Sequence, residues 1–207
     1  MANLITLARF ILLFLAVALS YRPEPLLRLL CLLLVAVIFV GDAIDGYVAR
    51  KLNETSEFGA VFDIAIDRVV ENVLWLVLAD LKLIPVWVAI VFITRGFLVD
   101  SIRSYGVARG HIPFAMMQSP LGRWLVAGRF MRALYGTVKG VAFSALLLIN
   151  ALPGLVPEFY RNWEGTLEGI TAALVYLAVL LCLVRGVPVV VEFRTGISRE
   201  KNLKLIY

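Results

Sequence analysis

Long apolar stretches separated by short polar ones dominate this chain. Runs long enough to cross a bilayer as helices, roughly 17 to 25 residues each, fall at about 4–21, 26–49, 58–78, 84–102, 131–152 and 166–191. The pattern predicts an all-α, polytopic membrane protein with six transmembrane helices. One membrane domain over 1–207 accounts for the chain, with a short basic tail at about 192–207 and neither an internal repeat nor a soluble second domain. The first run imitates a signal peptide in length, yet it lacks a basic leader and carries Arg9, so it is read as a retained first span.

One stretch breaks this background. Between Gly41 and Asn72 the sequence GDAIDGYVARKLNETSEFGAVFDIAIDRVVEN sets Asp42, Asp45, Asp63 and Asp67 among apolar residues. Residues three or four apart share a helix face, so Asp42, Asp45, Gly46 and Ala49 form one stripe, and Gly59, Asp63 and Asp67 form another. The polar link KLNETSEF suits a tight connection between antiparallel helices whose carboxylate faces meet near the link. Small residues at Gly46, Ala49 and Gly59 let the backbones approach closely. Four facing carboxylates repel unless a cation sits among them, and hard oxygen ligands suit Mg²⁺ or Mn²⁺, here read as a two-metal site. Arg50 adds a fork of donors matched to a phosphate that the same ions hold. Metals plus arginine point to phosphoryl chemistry. Acids at membrane depth also mark ion pathways, so a cation transporter is the rival reading, and a small membrane scaffold is a third.

The composition, 61% hydrophobic and 17% charged with a net charge of +5, fits the membrane class. The basic residues fall between apolar spans rather than on one soluble face, which argues for a membrane surface and phosphate rather than nucleic acid. With both termini cytoplasmic, only Arg22, Arg28, Lys82 and Arg161 of the 20 lysines and arginines lie on the far side, in line with the positive-inside rule. The aspartate link, and the active site with it, then faces the cytoplasm. Tyr160 and Trp163 read as an outer aromatic belt, the stretch 110–130 with Pro113 and Pro120 as interfacial, and the tail as lying on the anionic inner leaflet. Cys31 and Cys182 read as packing residues within apolar runs, and the lone His111 is assigned no role.

Further polar residues sit at helical intervals. Asn3, Thr6 and Arg9 share a face of the first span, where interfacial anchoring is one account. Arg103 follows Asp100 by three, which suits a local salt bridge as well as a site. Arg132, Tyr135 and Lys139 share a face at the start of the fifth span. Snorkelling accounts for Arg132 but less well for Lys139, two turns deeper. A cavity for an anionic molecule, closed by Arg185 from the sixth span, explains both.

Spelled out, the central stretch is Asp42, two residues, Asp45-Gly46, two residues, Ala49-Arg50, eight residues, Gly59, three residues, Asp63, three residues, Asp67. It resembles throughout the signature of the CDP-alcohol phosphotransferases, integral membrane enzymes that join a CDP-linked alcohol to a second alcohol and release CMP. The resemblance covers the signature closely and the six-span layout loosely. It implies Asp42, Asp45 and Asp63 as principal metal ligands, with Asp67 a further ligand and the base for the acceptor hydroxyl. Gly46 and Gly59 would leave room for cytidine, Ala49 and Arg50 would border the CDP phosphates, and Asn3 and Thr6 would lie near the nucleotide, although the proline that often precedes the Asn is missing. It also implies a homodimer. The donor expected is CDP-diacylglycerol. Arg103, Arg132, Lys139 and Arg185 favour a phosphorylated acceptor, glycerol 3-phosphate first and inositol phosphate second. Gly96 stands where the phosphatidylglycerophosphate synthases of this family often carry an acid directly after the arginine.

Overall fold

The apolar runs fold as helices. The computed structural model describes residues 2–52, 57–108 and 119–204, without the side chains of 2–5, 42–52, 57–58, 60, 107–108 and 196–204. Its elements are α1 (Ala2–Ser20), α2 (Pro25–Leu52), α3 (Glu57–Asp80), α4 (Val86–Ala108), α5 (Pro120–Ala127), α6 (Arg129–Leu155) and α7 (Pro157–Lys204), with no strand among the described residues. The all-α expectation holds. α7 starts at Pro157 and continues to Lys204, so the stretch carrying Tyr160 and Trp163 and much of the basic tail are helical. Proline in a first helical turn loses no internal hydrogen bond, which is why Pro157 opens a helix instead of breaking one.

By length and composition, α6 and the Pro157–Thr195 part of α7 are apolar enough to cross a bilayer. The apolar parts of α1 and α2 whose side chains are described, Thr6–Ser20 and Pro25–Gly41, are shorter. Acids and arginines such as Asp63, Asp67 and Arg68 interrupt the apolar run on α3, and Arg95, Asp100 and Arg103 that on α4.

The chain divides into two compact units, Met1–Ala89 with Gly140–Leu174, and Ile90–Lys139 with Val175–Tyr207. In the first, α1 packs along α2 and α3. Buried positions recur every three or four residues, at Thr6, Arg9, Leu13, Ala16 and Ser20 on α1 and at Cys31, Val35 and Ile38 on α2, the spacing of a helix face. Phe143 of α6 is the aromatic centre, its ring 4.4 Å from Trp75 and 5.8 Å from Phe39. At one end, Arg28 Nη1 donates to the Asn150 carbonyl at 3.0 Å and the Tyr21 hydroxyl to Asp80 Oδ2 at 2.7 Å. α3 closes there with Lys82 at φ 60°. The Lys82 N–H donates to the Ala79 carbonyl and the Leu83 N–H to the Leu78 carbonyl, each at 3.0 Å, the pairing that terminates a helix through a left-handed residue. Away from the core, large apolar side chains such as Ile11, Phe14, Leu33, Val37, Val61 and Ile64 are exposed.

In the second unit Val99, Ile102, Val126 and Val189 form a core flanked by Leu125 and Phe193. The stretch read as interfacial contains α5. Ser119 caps it by accepting from the Gly122 N–H at 3.0 Å, satisfying one of the donors a helix start leaves open. Glu192 of α7 accepts from the Ser119 N–H at 3.3 Å and from its hydroxyl. Leu121 and Trp124 are exposed on α5. Both cysteines are free and buried, in the packing role expected of them; His111 lies outside the described residues.

Candidate functional site

The acidic centre sits in the first unit. Asp63 and Asp67 are one turn apart on α3, and both turn Oδ1 to the same side chain, Arg9 of α1. Arg9 Nη2 lies 2.7 Å from Asp67 and Nη1 lies 3.2 Å from Asp63. Its Nε donates to the Ile38 carbonyl of α2 at 3.2 Å. Arg9 occupies a position in the buried stripe of α1 where an aliphatic residue would ordinarily sit, and it is only 3% exposed. Gly41 makes room for it: a Cβ there would stand 3.3 Å from both Cγ and Cδ of the arginine. A charge this buried requires close partners, and the two carboxylates and the carbonyl supply them. The aspartates themselves remain accessible, at 39% and 44%.

Two carboxylate oxygens brought to one cationic centre form a donor set that a hard divalent ion also fits. Among the described residues, no third His, Cys, Asp or Glu joins them into a cluster of three. Asp42 and Asp45 ride the last turns of α2 with Gly46, Ala49 and Arg50; their side chains, and that of Asn3 on α1, lie outside the described residues. Thr6 is buried three residues before Arg9 on the same face, and Gly59 lies one turn before Asp63 on α3.

A basic centre sits in the second unit, gathered around Tyr135 of α6. Lys139 Nζ lies 4.5 Å from the ring centroid, the Arg185 guanidinium 5.1 Å and that of Arg95 5.7 Å, within the range where a cation is drawn to an aromatic face. Arg185 is 6% exposed and falls in step with Ala178, Cys182 and Val189 along the buried face of α7. Its Nη1 donates to the Met131 carbonyl and its Nη2 to the Val126 carbonyl, each at 3.1 Å. Val126 lies in the last turn of α5, where carbonyls lack helical partners, so Arg185 caps α5 and fixes the start of α6. Arg95, Arg103 and Arg132 lie close enough for their charges to act on Arg185. Arg132 is exposed, and Arg103 Nη1 stands 3.9 Å from Asp100 Oδ1, so the local pair is a loose one. Gly186 leaves space for the stem of Arg95: a Cβ there would meet Arg95 Cγ at 2.8 Å. Beside that stem an apolar cavity of about 420 Å³ runs between α4 and α7, lined by residues such as Leu98, Val187 and Val190, and suits a hydrocarbon chain.

Of the expected residues, Asp63 and Asp67 come together, and so do Lys139 and Arg185. Sequence reasoning missed two partnerships, Arg9 with the aspartates and Arg95 with the Tyr135 ring, although it places Tyr135 on the face of Arg132 and Lys139. Each buried arginine carried a legible signal, since Arg9 falls in step with Leu13 and Ala16, and Arg185 with Cys182 and Val189. A cation in phase with a buried apolar stripe must be paired.

The sequence comparisons agree on one family. The model of the family described as CDP-alcohol phosphatidyltransferase matches residues 1–185. A CDP-diacylglycerol–glycerol-3-phosphate 3-phosphatidyltransferase of Bacillus subtilis is 28% identical over 149 residues, covering 68% of this chain and 77% of that protein. A probable phosphatidylglycerophosphate synthase of Mycobacterium tuberculosis is 28% identical over 164 residues, 75% of this chain and 78% of that protein. A CDP-diacylglycerol–inositol 3-phosphatidyltransferase of Arabidopsis thaliana is 35% identical over 79 residues, 38% of this chain and 33% of that protein.

Proposed function

Because the chain belongs to the CDP-alcohol phosphatidyltransferase family, we propose that it moves the phosphatidyl group of CDP-diacylglycerol to a hydroxyl of glycerol 3-phosphate and releases CMP. The observation that carries this reading is the family match across residues 1–185 in a chain whose Asp63 and Asp67 converge on one cationic centre. The acceptor follows from the relatives of Bacillus and Mycobacterium, both named for glycerol-phosphate chemistry, and from the cations around Tyr135. The Arabidopsis relative supports inositol or its phosphate as the second reading.

In the reaction, the acceptor hydroxyl oxygen forms a bond to the phosphatidyl phosphorus, the bond from that phosphorus to the CMP oxygen breaks, and the hydroxyl proton passes to Asp67. Asp67 suits the role of base: its Oδ1 faces Arg9, its carboxylate is partly accessible, and Oδ2 enters neither ion pair. Asp42, Asp45, Asp63 and Asp67 would hold two Mg²⁺ or Mn²⁺ ions, which when bound supply Lewis-acid polarisation of the phosphoryl oxygens and a clamp on the departing CMP. Gly46 and Gly59 leave room for cytidine, while Ala49, Arg50, Asn3 and Thr6 border the nucleotide. Arg103, Arg132, Lys139 and Arg185 receive the acceptor phosphate, with Arg185 positioning as much as binding because two of its amino groups are spent on main-chain carbonyls.

The whole chain acts as one membrane domain. α1 to α4, α6 and α7 cross the bilayer, with both termini and the aspartates on the cytoplasmic side. The exposed apolar side chains on α1, α2, α3 and α4 support this, since uncovered apolar surface of that extent calls for an apolar neighbour. We take the enzyme to be a homodimer, which cross-linking in native membranes tests. The function is tested with purified protein, labelled CDP-diacylglycerol and separate acceptors: glycerol 3-phosphate, inositol phosphate, inositol and serine. CMP release with glycerol 3-phosphate, abolished by chelation and restored by Mg²⁺ or Mn²⁺, is expected. Product from serine alone would overturn the phosphate-binding assignment, and cation flux in liposomes without CMP formation would overturn the transferase.

A further inference from the structure

We propose that Arg9 is a positioning residue that competes with the divalent cation for Asp63 and Asp67, so that metal loading and release of the Arg9 guanidinium are a single event. The inference rests on the metal-dependent reading above. Its basis is geometric: the two Oδ1 atoms that α3 turns toward α1 are the ones Arg9 engages, at 3.2 and 2.7 Å. A cation bound to both of those oxygens would lie against a guanidinium that stays protonated at any working pH. The like charges repel at such short range, so one must yield. Arg9 is built to yield at its far end only. Its Nε is tethered to the Ile38 carbonyl at 3.2 Å, its stem is held against Gly41, and its residue is 3% exposed, so the near end stays fixed while the two terminal amino groups swing. Those amino groups, once released, are a two-pronged donor matched to paired phosphate oxygens, which a diphosphate-linked substrate brings to the same centre. The position in the buried stripe thus delivers a cation that balances the aspartates and then becomes available to the substrate.

The test is Mn²⁺ binding to the full chain in detergent, without substrate, by titration calorimetry and by the loss of the free-ion resonance signal. Arg9→Ala is expected to bind Mn²⁺ about tenfold more tightly than the wild type, the effect of one charge-assisted hydrogen bond no longer opposing the ion. Arg9→Lys, which keeps a charge but not the fork, should fall between the two. The chelated Arg9→Ala protein should also melt earlier than the chelated wild type and gain more from Mn²⁺. A merely structural arginine predicts the opposite, affinity equal to or weaker than the wild type in both variants, and that result overturns the proposal. Should Arg9→Ala fail to fold, Arg9→Lys decides by the same criterion. If the wild type binds no Mn²⁺, the metal-dependent reading and this inference fall together. If the wild type binds and Asp63→Asn weakens binding while the Arg9 variants do not tighten it, the reading stands and only the inference fails.

Discussion

Among the described residues, each compact unit of this protein buries one arginine in the middle of an apolar helix face, and the two are satisfied by different partners. Arg9 faces two carboxylates of α3, which are 39% and 44% exposed. Arg185 faces two main-chain carbonyls, at Met131 and Val126, neither of which carries a charge to offer another cation. Both arginines are equally hidden, at 3% and 6%. Burial alone therefore does not separate a mobile catalytic neighbour from a structural rivet. The chemistry of the partner does, since an anionic side chain can trade one cation for another, whereas a carbonyl at a helix end needs a donor for the fold to persist.

The largest effect should come from breaking the exchangeable side. Asp67→Asn removes the proposed proton acceptor while keeping the shape of the side chain, and CMP release should fall by about 10²- to 10⁴-fold, the usual weight of a general base. The variant should remain folded, as judged by an unchanged elution profile in detergent. Turnover at the wild-type rate would end the assignment of Asp67 as base.

Next in size is the fixed side. Arg185→Met keeps the length and apolar stem but leaves the Val126 and Met131 carbonyls without their side-chain donor, and should lower unfolding stability by about 3 kcal/mol. Arg185→Lys should recover only part of this, because a single ammonium lacks the planar fork that reaches two carbonyls. Thermal unfolding in detergent measures both, and Mn²⁺ affinity should not move in either variant. A change in metal binding without a loss of stability would erase the distinction between the two arginines.

The comparison also shows what the sequence could and could not convey. The helices were legible because the apolar runs are long and their buried positions keep a spacing of three and four, as at Thr6, Arg9, Leu13, Ala16 and Ser20. The pairing of Asp63 with Asp67 was legible for the same reason. Arg9 as their partner was not, because 54 residues separate it from Asp63, and periodicity places a residue on a face without naming what that face meets. α5 was hidden for a different reason: at eight residues it is too short for a periodic signal, and its Ser119 cap is held by Glu192 of α7, a partner 73 residues away. Between the fifth and sixth apolar runs, Pro153 lies inside the end of α6 and Pro157 opens α7, so the two helices nearly abut where the hydropathy pattern shows a gap.

The smallest expected effect tests whether the basic centre works as a unit. Lys139, Arg185 and Arg95 all lie within 5.7 Å of the Tyr135 ring centroid, so the ring lowers the cost of holding like charges near one another before an anion arrives. Arg185 is already pinned by its carbonyls, which leaves Lys139, the nearest to the ring at 4.5 Å, as the cation whose placement depends most on it. Tyr135→Leu should therefore raise KM for glycerol 3-phosphate about threefold to fivefold with kcat nearly unchanged, the pattern of lost ground-state binding. Tyr135→Phe keeps the aromatic face and should stay close to the wild type. If Phe and Leu are equally impaired, the hydroxyl rather than the ring carries the effect. If neither alters KM, the cations around Tyr135 belong with Arg185 among the structural contacts of the second unit, and the acceptor phosphate must be sought nearer the exposed Arg132.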